Sequence, residues 1–224
     1  MQIKEMLRYK EIDYVIRYPE NFTPDKKYPL IFYIHGAGGR GRDINVIYNH
    51  PFFIETQEHN LNMISVAPQC YEDSWFSIME QLHEFILFAI KQPFIDADKV
   101  YLMGASMGGY TTWQLAMSWP ELFAAIVPIC GGGMYWNAGR LKNLGVWAFH
   151  GSDDPTVFCE ESNKMVNAVV KKGGDAKLTI YEGGMHNSWT ETFRNINVFE
   201  WLLSHSRKTL SVSRSEHDNV KEFG

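Results

Sequence analysis

The chain has 224 residues, of which 45% are apolar, 21% charged and 14% aromatic. This is an ordinary globular composition, long enough for one large domain with a core that needs no disulfide or structural metal. A formal charge of −5 and no basic stripe exclude a nucleic-acid binder that relies on phosphate neutralisation.

The N-terminal run Met1–Tyr14 lacks the apolar core of a secretory signal. The longest apolar stretch, Leu122–Cys130, is broken by Pro128 and is far too short to span a bilayer. Cys70, Cys130 and Cys159 are odd in number and far apart, which suits reduced thiols better than a disulfide framework. No two histidines stand at a zinc-like spacing. A cytoplasmic protein without metal or cofactor is expected, with no nucleic-acid or membrane partner.

In chain order, alternating stretches at Ile3–Arg8 and Ile12–Tyr18 predict an antiparallel hairpin. The run Pro29–Ile34 is continuously apolar and ends in glycines, as suits a strand buried on both faces. The same grammar then repeats. Strands are predicted at Met63–Ala67, Lys99–Met103, Phe123–Ile129, Gly145–Phe149 and Lys177–Tyr181. Helices are predicted at Trp75–Lys91, Met107–Trp119, Glu160–Lys172 and Arg194–His205. Strands alternating with helices imply an α/β fold with a mostly parallel sheet. Its glycine-rich strand ends mark the carboxyl edge, where such sheets place their sites. Residues 206–224 are polar and unpatterned, a C-terminal tail beyond a single domain at 1–205.

Gly104-Ala-Ser-Met-Gly108 fits G-x-S-x-G, with an apolar strand before it and a helical pattern after it. In that context Ser106 is a candidate nucleophile, its hydroxyl raised at the N-terminal end of the next helix. A serine hydroxyl needs a base. The partners are expected in the order serine, acid, histidine, and His186 is the one downstream histidine that follows the last predicted strand within a loop. The acid belongs between them, in His150-Gly-Ser-Asp-Asp-Pro155. Asp154 is chosen by position before the proline, with Asp153 as the fallback. Two backbone N–H groups, of Met107 and of Ala37 in the loop after Ile34, are the expected oxyanion donors. His35 and His150 are expected to brace their loops rather than transfer protons.

Together, His35-Gly-Ala-Gly-Gly39, Ala67-Pro-Gln-Cys70, Gly104–Gly109, Pro128–Gly133, Trp147–Pro155 and His186-Asn-Ser-Trp189 resemble the α/β-hydrolases. The closest likeness is to the bacterial phospholipase/carboxylesterase-like group, which includes predicted peptidases and feruloyl-esterase-like and depolymerase-like proteins. The resemblance implies that fold, a Ser106–Asp154–His186 triad, and Ala37 and Met107 as oxyanion donors. Only Gly132–Leu144 separates two predicted strands where lipase-like members insert a lid, so an open site without a lid domain is expected. Trp75, Tyr135, Trp136 and Trp189 lie near the strand ends and are candidates for lining an acyl or alcohol pocket. The expected function is a serine carboxylesterase acting on a small-molecule ester with a short or small aromatic acyl group. A peptidase or thioesterase on the same residues, or a binding scaffold without activity, are the alternatives. The sequence does not set an oligomeric state.

Overall fold

The structure, a computed structural model, describes residues 3–207. All but the first two residues of the expected tail therefore lie outside the described residues. The opening hairpin pairs β1 (Lys4–Tyr9) with β2 (Ile12–Arg17). Six further strands follow: β3 (Tyr28–Ile34), β4 (Ile64–Pro68), β5 (Ile95–Ala105), β6 (Ala125–Ile129), β7 (Gly145–Gly151) and β8 (Ala176–Tyr181). They form an eight-stranded sheet in the order β1-β2-β4-β3-β5-β6-β7-β8, antiparallel at β1/β2 and β2/β4 and parallel elsewhere. This is the α/β-hydrolase architecture implied by the sequence.

The parallel strands read as unbroken apolar runs because both faces of the sheet are covered. In β3, Leu30, Phe32 and Ile34 point into one core, while Ile31 and Tyr33 point into the other. The first core is closed by α3 (Met79–Ile90), α4 (Met107–Ser118) and α5 (Glu160–Lys171). The second is closed by α1 (Asn45–Tyr48), α2 (Pro51–Glu55), α6 (Trp189–Arg194) and α7 (Ile196–Leu203). Side chains such as Phe32, Phe85 and Phe199 are fully buried, each worth roughly 1.5–3 kcal/mol of transfer free energy.

The helices depart from the sequence pattern in three places. The predicted helix from Trp75 starts as a 3-10 turn (Trp75–Ile78), because the Ser74 side chain caps the Phe76 N–H at 3.1 Å and Trp75 turns into the core. The helix predicted at Arg194–His205 starts at Ile196 as α7, because the Asn195 side chain caps the Asn197 N–H at 3.1 Å, and a separate short helix, α6, precedes it. The short helices α1 and α2 lie where the pattern is silent. Pro51 opens α2, and His50 Nδ1 accepts the Phe52 N–H at 3.1 Å.

Candidate active site

Ser106 sits between the last residue of β5 and the first of α4, with φ +56 and ψ −119. A side chain in this left-handed region is strained, and the turn survives because its neighbours over-determine it. A Cβ on Gly104 would come within 2.3 Å of the Gly108 carbonyl oxygen. One on Gly108 would come within 1.9 Å of the Ile34 carbonyl oxygen at the end of β3. The two glycines thus allow α4 to press onto the strands while the serine is raised above them.

Ser106 Oγ lies 2.9 Å from His186 Nε2, and His186 Nδ1 lies 2.7 Å from Asp154 Oδ2. His186 is partly exposed on the loop after β8, whereas the Asp154 carboxylate is fully buried after β7. The other oxygen of Asp154 accepts the N–H groups of Thr156 at 2.8 Å and Val157 at 3.0 Å. Burial pushes the Asp154 carboxyl upward, but the hydrogen bonds from His186, Val157 and Thr156 outweigh it and hold its pKa below the ordinary value. The fallback, Asp153, turns away and accepts a hydrogen bond from the Ser152 hydroxyl at 2.7 Å.

Met107 opens α4 and Ala37 opens a 3-10 turn (Ala37–Gly39), so neither N–H has an acceptor within its own helix. The Ala37 loop runs beside the serine: a Cβ on Gly36 would stand 3.3 Å from Ser106 Cβ. That loop is pinned from below. His35 Nε2 accepts the Cys70 N–H at 2.9 Å, so its proton is on Nδ1, which donates to the Gly36 carbonyl at 2.6 Å. Gln69 Nε2 donates to the carbonyls of Gly39 and Asp43, both at 3.1 Å.

Trp75 is the correction among the pocket aromatics. It is fully buried, and its indole N–H donates to the His35 carbonyl at 3.0 Å, so it braces the Ala37 loop and cannot line an open pocket. Trp189 stands edge-on to His186, with ring centroids 5.5 Å apart. Trp136 is 68% exposed and meets the ring of Tyr135, also exposed, on the 3-10 turn (Tyr135–Leu141) after β6.

Burial pushes the His35 pKa from 6.5 down to about 4; Arg40 adds to the effect and the Gly36 carbonyl opposes it. Between those values the unfolded chain holds a proton that the folded chain does not, so stability falls as pH drops from 6.5 toward 4. This group alone is expected to lower the unfolding free energy by about 2 kcal/mol between pH 7 and pH 5. Urea midpoints at the two pH values read it, and His35→Gln is expected to flatten the slope. An equal slope in the variant would remove His35 as the cause.

Two further side chains adjoin the site. Cys130 follows β6 with φ +40, and its thiol packs against the Ser188 side chain and the Ser106 backbone. Cys130, Asp154 and His186 are the group of three metal-type side chains among the described residues, with ligand atoms within 4.8 Å of one another. The trio does not suit a metal ion. Asp154 and His186 already bond to each other, and burial pushes the Cys130 thiol up to about 12. His150 is the second neighbour, buried on β7 with Nε2 3.2 Å from Asp154 Oδ2.

The sequence profile described as phospholipase/carboxylesterase matches residues 61–202, well over half of the chain. The chain belongs to the phospholipase/carboxylesterase family. Among solved structures, this family member resembles a thermostable esterase with a TM-score of 0.78 and 32% identity, over 92% of this chain and 63% of the other. A protein of Aspergillus terreus named probable feruloyl esterase C is 26% identical over 169 residues, 72% of this chain and 62% of that one. A candidate dipeptidyl aminopeptidase of Schizosaccharomyces pombe is 25% identical over 196 residues, 69% of this chain but 22% of that one. The chain thus spans just under two thirds of the two esterases and about a fifth of the aminopeptidase. Among the described residues, no helix of this phospholipase/carboxylesterase family member is long and apolar enough to cross a membrane.

Proposed function

We propose that the chain is a serine carboxylesterase that cleaves small esters through an acyl-enzyme. The observation that carries this reading is the unbroken contact from Ser106 Oγ through His186 to the buried Asp154 carboxylate, at 2.9 and 2.7 Å. His186 Nε2 takes the proton as Ser106 Oγ bonds to the ester carbonyl carbon. The negative charge that forms on the carbonyl oxygen is met by the N–H groups of Ala37 and Met107. Asp154 holds Nδ1–H toward itself and stabilises the imidazolium without taking the proton. The tetrahedral intermediate collapses, and the alcohol leaves with the proton from His186. Water, deprotonated by the same nitrogen, then releases the acid and restores Ser106.

The substrate range follows from the surroundings. Among the described residues, the segment between β6 and β7 holds one short 3-10 turn and no lid. Trp136 and Tyr135 are open to solvent and available to a small aromatic or short acyl group. The free thiols of Cys70, Cys130 and Cys159 favour a reducing, cytoplasmic setting.

The test is hydrolysis of p-nitrophenyl acetate, butyrate and octanoate beside an aminoacyl p-nitroanilide and an acyl thioester. Turnover is expected on the esters, falling by about tenfold or more from butyrate to octanoate, since an open surface offers a long chain little burial. A fluorophosphonate is expected to label Ser106. Turnover of the anilide or the thioester alone would overturn the ester reading, and failure to label would favour a non-catalytic scaffold.

A further inference from the structure

We infer that His150 is a positioning residue for the reaction: it holds the turn that carries Asp154 and sets the charge that this carboxylate presents to His186. The inference rests on the roles proposed above for Ser106, His186 and Asp154. His150 is fully buried at the penultimate position of β7, four residues before Asp154. Its Nε2 lies 2.8 Å from the Val157 carbonyl oxygen, a group that can only accept, so Nε2 carries a proton. The same N–H lies 3.2 Å from Asp154 Oδ2, the oxygen that accepts the hydrogen bond from His186 Nδ1–H at 2.7 Å. Val157 is held from both ends, its carbonyl by His150 and its N–H by Asp154 Oδ1 at 3.0 Å. On the far side, His150 Nδ1 is 2.7 Å from Ser162 Oγ on α5, and that hydroxyl is 3.0 Å from the Gly131 carbonyl.

The consequence is electrostatic as well as steric. One carboxylate oxygen faces two imidazoles, and the inner N–H offsets part of the negative charge that the outer ring feels. Without that donor the carboxylate attracts the His186 proton more strongly, and His186 becomes more basic. The other ionisable groups around Asp154 are the Cys130 thiol after β6, the Tyr110 phenol on α4 and the Cys159 thiol ahead of α5. All three are pushed upward, mainly by burial. They stay neutral where an imidazole titrates. Glu160, Glu161 and Glu182 lie further out around those same groups.

The two side-chain amides separate this role from simple filling of space. In His150→Gln the terminal amide can occupy the Nε2 position and donate to Val157 and Asp154. In His150→Asn the amide reaches only the Nδ1 position, which keeps Ser162 and loses Asp154. The first readout is the pH profile of kcat/KM for p-nitrophenyl butyrate. In His150→Asn its acid limb is expected to move up by about half a pH unit or more, with kcat about tenfold lower and KM nearly unchanged. His150→Gln is expected to restore both. The second readout needs no turnover: an NMR titration of the His186 ring is expected to show the same upward displacement in Asn and its reversal in Gln.

If Asn and Gln variants share one profile and one His186 titration, whether or not both are slower, the inference is overturned. A wild type that hydrolyses no ester in a Ser106-dependent way overturns the esterase reading instead, and the NMR comparison still decides the role of His150.

Discussion

Ser106→Ala is expected to lower kcat/KM for p-nitrophenyl butyrate by at least about 10⁴-fold, with melting temperature within a few degrees of wild type. The size follows from what the hydroxyl does. In the proposed mechanism it forms the covalent bond of the acyl-enzyme, and it is the hydroxyl that His186 Nε2 meets at 2.9 Å. The substitution leaves in place the 2.7 Å contact of His186 with Asp154 and the N–H groups of Ala37 and Met107 proposed as oxyanion donors. The residue left at φ +56 keeps the same backbone demand. Steady-state kinetics on purified variant and wild type measure the loss. Retention of more than about one per cent of activity would remove Ser106 as the nucleophile. Asp154→Asn is expected to approach the same loss, because an amide in that place can hold the wrong tautomer of His186.

Gly108→Ala is the second large effect, on folding. The added methyl carbon would lie 1.9 Å from the Ile34 carbonyl oxygen, 2.6 Å from its carbon and 2.8 Å from the His35 carbonyl oxygen. Every one of these atoms is backbone, so no rotamer change relieves the overlap. Either α4 lifts from β3 or the end of β3 bends, and both movements separate Ser106 from the Ala37 loop. The cost is expected to exceed about 3 kcal/mol, with a fall in melting temperature of roughly 10 °C and loss of esterase activity. Gly38→Ala is the control. Nothing lies within 4 Å of its added carbon, and its melting temperature should stay within about 2 °C of wild type. A Gly108→Ala protein that melts like wild type would contradict the close contact between α4 and β3.

Much of this architecture is legible in the chain because it is written in local pattern. Strands with both faces buried must be apolar throughout, so β3, β6 and the second half of β5 stand out as runs such as Leu30–Ile34. A strand that turns sharply into a helix needs glycine two residues either side of its apex, so Gly104 and Gly108 mark Ser106. His35 and His150 each read as loop braces, and both hold loop carbonyls or N–H groups. The short helices α1 and α2 were less legible, since four or five residues give no periodicity and their stability comes from packing.

The sequence by itself determined the sheet, the order of its glycine-rich edges and the residues that could reach one another at the carboxyl end. Only the tertiary structure decided which of them meet. Between Asp153 and Asp154 the choice fell to a turn that buries one carboxylate under His186, 32 residues away, and leaves the other on Ser152. Trp75 reads like any aromatic at a strand end, yet it lies inward, 40 residues from the carbonyl it holds. The contact between Ser106 and His186 closes over 80 residues. Local pattern reflects backbone preference and which face is buried. Contacts at such separations depend on how helices and loops pack against the finished sheet, and no short stretch of sequence carries that information.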